Sequence, residues 1–143
     1  MIYTEMTKKA LKLCFTAHQY QTDKSGLPYV FHPFHVAEQM QDEVTTTVAL
    51  LHDVVEDTPY TFEDLAKMGF PPVVIDNLKL LTHAPDMPYS DYIARIKGHP
   101  VAVAVKLADL AHNSDVSRYT VVDDRAKARL QKYQQAMKQL TES

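Results

Sequence analysis

The segment Leu50-Leu51-His52-Asp53-Val54-Val55-Glu56-Asp57 predicts the centre of the fold. It places four side chains that bind metals or transfer protons within an apolar run. Such groups are costly to bury without a partner, so an interior helix that carries them needs a compensating charge. A divalent cation is the simplest partner, and the segment therefore indicates a metal site inside the protein.

The periodicity around this segment is that of a buried helix. Apolar side chains recur at helical spacing from Val44 to Val55, and the apolar residues between them leave almost no polar face. His52 and Asp53 are about 100° apart on the helical wheel, and Glu56 and Asp57 lie one turn further on. We therefore expect one continuous helix with a ligand pair and an acid pair near its C-terminal end.

The length and composition indicate one domain, residues 1–143. Of the 143 residues, 45% are hydrophobic, and the single cysteine, Cys14, is expected in the core. No apolar run approaches the ~20 residues of a membrane span and the N-terminus lacks a signal-peptide pattern, so we expect a soluble, cytoplasmic protein without membrane contact. The formal charge of −3 gives no positive surface for duplex nucleic acid, so an anionic ligand has to be bound locally.

Helical periodicity continues through the rest of the chain. A second strongly apolar helix is expected over residues 101–113, and the remaining helices have recognisable start signals: Thr4, His32-Pro33, Thr61 with Asp64, Pro71-Pro72, Ser90-Asp91 and Asp123-Asp124. No stretch alternates with a period of two. We predict an all-α fold, a compact bundle of roughly seven or eight helices. The apolar seam of the last helix could pack internally or against another subunit, so the oligomeric state is open.

Four residues from three separate parts of the sequence form the candidate metal site. His32 precedes a proline at a predicted helix start, His52 and Asp53 lie in the central segment, and Asp109 lies in the second apolar helix. Two imidazoles and two carboxylates suit Mn²⁺, Fe²⁺ or Zn²⁺ better than Mg²⁺ or Ca²⁺, which prefer oxygen alone. Such a set leaves coordination positions for water and substrate, which indicates catalysis.

Three segments carry a resemblance to a known family: Gly26–Pro33, Ala49–Thr58 and Val105–Asn113. In this order they resemble the HD-domain metal-dependent phosphohydrolases, and within them the RelA/SpoT-type hydrolases that remove the 3′-pyrophosphate of (p)ppGpp. The resemblance implies a compact helical hydrolase whose substrate is a nucleotide.

The resemblance also assigns roles to the candidate residues. It implies that His32, His52, Asp53 and Asp109 bind the metal, usually Mn²⁺ in these hydrolases. The acid pair Glu56 and Asp57 is then expected to orient or deprotonate the attacking water.

Four further residues are expected to bind substrate. Asn113 resembles the amide that contacts the nucleoside in the family, and Lys106 is expected either to support a carboxylate or to reach a phosphate. Lys24 is the only lysine in the loop after the first helix, and Tyr29 could line the pocket. His35 and His112 could reach the same cleft but receive no catalytic role.

Simpler interpretations exist for the same residues. His32 could be a helix cap. His52 and Asp53 could form a buried ion pair, although inside an apolar helix the desolvation cost of such a pair can exceed the attraction between its charges. The negative charges of Glu56 and Asp57 are unfavourable near a helix C-terminus, so their presence there needs a functional reason.

The loop after the first helix departs from the family pattern. RelA/SpoT-type hydrolases carry several basic residues there, whereas residues 18–24 contain one lysine and an added acid, Asp23. Two alternatives therefore stay open: an HD phosphohydrolase that acts on another nucleotide or small phosphoester, and a non-catalytic nucleotide-sensing HD module. Because the chain ends where larger enzymes continue into a synthetase domain, we expect hydrolysis without synthesis.

Overall fold

A computed structural model describes residues 1–142 of the protein. Within this range the chain forms nine α-helices and one short 3-10 helix, and its only β-type pairing is an isolated bridge between Thr22 and Pro28. The predicted all-α fold is confirmed. The helices are α1 (Glu5–His18), α2 (Phe31–Glu38), α3 (Glu43–Leu51), α4 (Val54–Asp57), α5 (Phe62–Lys67), α6 (Pro72–Leu81), α7 (Tyr89–Ile96), α8 (Pro100–Asn113) and α9 (Asp124–Thr141), with the 3-10 helix at Val116–Arg118.

The central helix is interrupted, so the expectation of one continuous helix is wrong. Its two parts, α3 and α4, are separated by His52 and Asp53, and Asp53 has non-helical dihedral angles of φ −108° and ψ 0°. Adjacent side chains of a regular helix diverge by about 100°. The interruption lets both side chains reach the same point, with His52 Nε2 3.0 Å from Asp53 Oδ2. If α3 and α4 are counted as one interrupted helix, the described residues form eight α-helices, within the seven or eight expected.

Helix α3 forms the middle of the core. Every residue from Thr45 to Leu51 is buried, and the helix packs against α1, α2, α6 and α8. Cys14 of α1 is fully buried beside it, as expected, and burial together with the Asp53 charge raises the pKa of this thiol to about 12. Helix α3 therefore provides a rigid base for the His52-Asp53 turn that follows it.

The observed N-terminal caps of the surrounding helices agree in part with the caps predicted from the sequence. The Thr61–Asp64 capping box of α5 and the Asp123 cap of α9 are present as expected. The expected cap of α7 at Ser90 is wrong, because the helix already begins at Tyr89, whose ring lies against Tyr92.

Helix α2 likewise begins at Phe31, two residues before Pro33. Proline is tolerated there because the first-turn N–H groups of a helix have no partner within the helix.

Part of helix α9 packs against the rest of the fold, whereas its seam residues Leu130, Tyr133 and Met137 are only half-buried. Its buried residues Ala126, Ala136 and Leu140 face the bundle, and the helix lies against α7 and α8. Among residues 1–142 no helix has the length and apolar character needed to cross a membrane. The cytoplasmic location and the single-domain organisation stay predictions.

Truncating Leu50, which is fully buried in α3, tests the packing beneath the site. We expect Leu50→Ala to lower the free energy of unfolding by about 2–5 kcal/mol, since a large core side chain leaves a cavity that its neighbours fill only partly. Urea unfolding followed by circular dichroism measures the change. Val73→Ala on α6, where the side chain is 47% exposed, is the control and should shift stability by about 0.5 kcal/mol or less. Equal effects of the two substitutions would contradict the central position of α3.

Candidate metal centre and active site

The four predicted metal ligands lie together although three separate parts of the chain supply them. His32 comes from the first turn of α2, His52 and Asp53 from the α3–α4 interruption, and Asp109 from α8. One nitrogen or oxygen atom from each residue lies within 4.8 Å of the corresponding atom of every other. Ligands on opposite sides of an ion with bonds of ~2.2 Å are ~4.4 Å apart, so the cluster has the dimensions of a site for one ion.

The shortest distances within the cluster join imidazole and carboxylate groups. His32 Nε2 lies 2.8 Å from Asp109 Oδ1, and His52 Nε2 lies 3.0 Å from Asp53 Oδ2 and 3.5 Å from Asp109 Oδ1. His32, His52 and Asp109 are each no more than 5% exposed. The cluster is therefore enclosed by protein.

The orientation of His52 indicates a ligand nitrogen that faces the cluster. Its Nδ1 lies 2.5 Å from the carbonyl oxygen of Ala49, to which it must donate a proton. The other nitrogen, Nε2, then carries the lone pair, and among the described residues this buried atom has no partner in hydrogen-bonding geometry. A histidine that donates through one nitrogen to a backbone carbonyl and leaves the other free is the usual arrangement of a metal ligand. On this observation the residues fit a divalent cation.

His32 is oriented by a second histidine that the sequence analysis left without a role. His32 Nδ1 lies 2.7 Å from Nδ1 of His112, which comes from the last turn of α8 and is itself stacked on His35 with 4.0 Å between ring centroids. Burial, assisted by the Arg118 charge, lowers the pKa of His112 to about 4, so this ring is neutral at pH 7 and can accept a proton from His32. With Nδ1 directed at His112, the other ring nitrogen, Nε2, faces the cluster at 2.8 Å from Asp109 Oδ1 and is the atom available to a bound cation.

The pKa shifts within the cluster indicate that an additional positive charge is favourable there. Although burial alone would lower it, the carboxylates of Asp53 and Asp109 raise the pKa of His52. Burial opposes the charged form of Asp53 as well, yet His52 lowers its pKa to about 2. Both shifts show that a positive charge is favoured at this point, which is what a cation supplies.

Asp109 has two supporting side chains on α8. Lys106 Nζ donates to its Oδ2 at 2.9 Å, and Asn113 Nδ2 donates to its Oδ1 at 3.0 Å. Of the two roles expected for Lys106, the geometry favours support of a carboxylate over contact with a phosphate.

The acid pair lies on α4, at the solvent side of the cluster. Glu56 Oε1 accepts a hydrogen bond from the backbone N–H of His83 at 3.2 Å. Partial burial, and then repulsion from Asp53, raises the pKa of both Glu56 and Asp57 above the ordinary carboxylate range. Both side chains are exposed, so a water molecule has access to them.

A cavity of about 960 Å³ lies beside the cluster, although none of the four cluster residues lines it. Two lining residues contact the cluster: the Tyr29 hydroxyl donates to Asp53 Oδ2, and Asn113 donates to Asp109 Oδ1. Asp57 lines the same cavity. Lys24 lines this cavity, whereas Lys106 does not, and the expected substrate contacts of both stay predictions. The volume is in the range of pockets that enclose small-molecule ligands.

The wall of the cavity also contains residues that the sequence analysis missed. Arg125, Arg129 and Tyr133 of α9 line it, together with Arg118. The three α9 residues are spaced by four and share one face of that helix. The sequence shows this spacing, but spacing alone does not show that this face of the helix lines a cavity.

Proteins of known function are similar to this chain. It is 34% identical over 125 residues to a GTP pyrophosphokinase of Streptomyces coelicolor, a match that covers 78% of the chain and 15% of that protein. It is 43% identical over 65 residues to the bifunctional (p)ppGpp synthase/hydrolase SpoT of Escherichia coli, covering 43% of the chain and 9% of SpoT. The match to a guanosine-3′,5′-bis(diphosphate) 3′-pyrophosphohydrolase of Haemophilus influenzae is 36% over 111 residues, or 68% of the chain and 16% of that enzyme. The chain thus spans less than a fifth of the length of these relatives.

A solved structure has the same fold over almost the whole chain. It is a metazoan ortholog of SpoT, described as hydrolysing ppGpp and acting in starvation responses; it superposes with a TM-score of 0.81 at 25% identity and covers 99% of this chain and 88% of its own. No family model matches the sequence.

The contact between His32 and His112 leads to a test of the metal centre. We expect His112→Ala to weaken Mn²⁺ binding by about 10- to 100-fold, because His32 loses the acceptor that orients it. His112→Asn should lose less, since its side-chain oxygen can accept from His32. Isothermal titration calorimetry measures the affinity, and His99→Ala, at an exposed histidine outside the cluster, is the control. Unchanged binding in a folded His112→Ala protein would rule out this orienting role.

Proposed function

We propose that this chain, an HD-type RelA/SpoT hydrolase-like domain, is a metal-dependent phosphohydrolase that removes the 3′-pyrophosphate of a guanosine-3′,5′-bis(diphosphate). The observation that carries the proposal is the convergence of four ligand atoms within 4.8 Å of one another, beside a cavity whose lining residues Tyr29 and Asn113 contact two of the ligands. Asp57 of the acid pair lines that cavity. A buried site for one ion, an adjacent base and a ligand cavity are the three parts that metal-assisted hydrolysis requires.

The residues proposed to hold the metal are His32, His52, Asp53 and Asp109, and we propose Mn²⁺ as the ion. The mixed nitrogen and oxygen donors support Mn²⁺, Fe²⁺ or Zn²⁺ over Mg²⁺ and Ca²⁺. When bound, such an ion supplies Lewis-acid activation of a water molecule and neutralises charge that develops on the phosphoryl oxygens.

The side chains around the ligands have separate roles in the proposed reaction. The carboxylate of Asp57 or Glu56 accepts a proton from the attacking water, and a raised pKa makes each a better base than an ordinary carboxylate. The Tyr29 hydroxyl orients Asp53, and Lys106 balances the charge of Asp109. Asn113 lines the cavity beside Asp109, where its amide is within reach of a bound nucleoside.

The names of the relatives support guanosine-3′,5′-bis(diphosphate) as the substrate, whereas one contact in the structure supports a different substrate. Asp23 Oδ2 lies 3.5 Å from Arg118 Nη2, so the acid in the loop after α1 neutralises a cation at the cavity wall. That pairing favours a second candidate, hydrolysis of another nucleotide or a small phosphoester.

The acid pair can be tested separately from the metal ligands. We expect Glu56→Gln and Asp57→Asn, made singly, to lower kcat, with the larger loss reaching at least ~100-fold, since general base catalysis contributes about 10²–10⁴-fold. Mn²⁺ affinity should stay within about threefold of the original protein, because neither residue belongs to the ligand cluster. Full turnover in both variants would refute the assignment of water activation to this pair.

A substrate panel distinguishes the candidate functions. With Mn²⁺ we expect release of pyrophosphate from guanosine-3′,5′-bis(diphosphate), detected by chromatography, and loss of this activity in EDTA. Turnover of a simple nucleotide but not of the bis(diphosphate) would favour the second candidate. Nucleotide binding without turnover of any compound would identify a sensing module instead.

A further inference from the structure

His18 is a buried histidine that lies outside the metal cluster. It is the last residue of α1 and is fully buried, and its Nδ1 lies 2.7 Å from Oε1 of Gln21. Among the described residues the other ring nitrogen, Nε2, is buried without a hydrogen-bond partner. A buried polar atom without a partner is costly, so an apolar side chain would suit this position better if packing were its only role. The contact through Nδ1 is therefore what a histidine adds here.

The side-chain amide of Gln21 has only one orientation that satisfies its contacts. Its Nε2 donates to the backbone carbonyl oxygen of Asp57 at 2.9 Å, and a carbonyl oxygen can only accept. The amide oxygen Oε1 therefore faces His18. Because Oε1 also only accepts, Nδ1 of His18 must carry the proton. Two consecutive hydrogen bonds thus connect α1 to the last residue of α4.

The carbonyl of Asp57 is a point at which α4 needs a partner from outside. The helix has four residues, and a helix of one turn is not stable by itself. The last carbonyl groups of a helix have no acceptor role within it, and Gln21 supplies a donor for the one at Asp57. The contact from His83 holds the side chain of Glu56 instead. The Gln21 amide therefore fixes the backbone of the acid that lines the cavity.

The same two residues also support Tyr29. The backbone N–H of Tyr29 donates to the carbonyl oxygen of Gln21 at 2.9 Å, and the rings of His18 and Tyr29 have their centroids 5.1 Å apart. The Tyr29 hydroxyl in turn donates to the cluster residue Asp53. His18 and Gln21 thus lie behind two residues that line the cavity, Tyr29 and Asp57.

We propose that His18 is a positioning residue for the hydrolytic reaction, which acts through the Gln21 amide to hold Asp57 at the cavity. The proposal rests on the proposed function for the role of Asp57 in accepting a proton from water. His18 touches neither the substrate cavity nor the metal ligands, and its contribution is the direction in which it fixes the Gln21 side chain. An acid held on a single exposed turn depends on such a support, because small displacements of a reacting group are costly to the rate.

A matched pair of substitutions at His18 tests the contact. Leucine and asparagine branch at the same carbon as histidine, but only asparagine has a nitrogen that can donate to Gln21. With Mn²⁺ and guanosine-3′,5′-bis(diphosphate), we expect His18→Leu to lower kcat about 10- to 100-fold with KM within about threefold, and His18→Asn to keep most of the activity. His18→Leu should lose no thermal stability, since the unpartnered Nε2 is removed with the ring. Equal kcat values for the two variants would overturn the proposal.

A double-mutant cycle tests whether His18 acts through Gln21. We expect Gln21→Met to lower kcat as His18→Leu does, and the double variant to stay within about twofold of Gln21→Met, because the second substitution then has no contact left to remove. Gln19→Met, at an exposed glutamine outside the cavity lining, is the control. Losses that multiply in the double variant would overturn the connection through Gln21.

Amide hydrogen exchange separates failure of the positioning role from failure of the proposed function. It is measured by NMR on the full chain in EDTA, at the Thr58 amide, which donates to Val54 at the end of α4. We expect exchange about 3- to 10-fold faster in His18→Leu and Gln21→Met, and unchanged in His18→Asn and Gln19→Met. The Met68 amide at the end of α5 is the internal control and should not change. Equal exchange at Thr58 in all the proteins would overturn the positioning role whatever the activity. Faster exchange in the two variants, with no hydrolysis by the original protein, would overturn only the proposed function.

Discussion

The burial of two carboxylates and two imidazoles in one small volume is the constraint on which the rest of the structure depends. Ionised groups are expensive to enclose, and each one here has a compensating contact: Lys106 and Asn113 on Asp109, Tyr29 on Asp53, and a backbone carbonyl on His52. These contacts come from α8, the loop before α2 and α3 itself. The contacts of the cluster therefore help to determine the relative positions of these elements, as the apolar core also does.

The interruption between α3 and α4 follows from this constraint. A regular helix would direct His52 and Asp53 to different sides, and one of the two would enter the apolar core without a partner. Breaking the helix costs the regular hydrogen bonds of one turn, but it brings both side chains to the cluster and leaves the following turn exposed. The exposed turn is the one that carries Glu56 and Asp57, so the break also separates the buried ligands from the acids that face solvent.

The sequence predicted the parts of this arrangement that depend on local pattern. The buried periodicity of α3, the capping box of α5 and the residues that form the cluster could all be recognised, because each is a short-range signal or a resemblance carried by continuous segments. The helix break could not, since Asp53 is drawn out of the helix by partners distant in sequence. The same holds for His112 and for the α9 arginines that line the cavity: their positions depend on which helices become neighbours, and spacing along one helix does not reveal that.

The charge of the cluster determines how it interacts with an anion. With neutral imidazoles, the two cluster carboxylates outweigh the single charge of Lys106, so the cluster alone repels an anion. A divalent cation would reverse that sign. Binding of an anion beside the cluster would then depend on the metal, so a measurement of metal affinity is also a test of the proposed function.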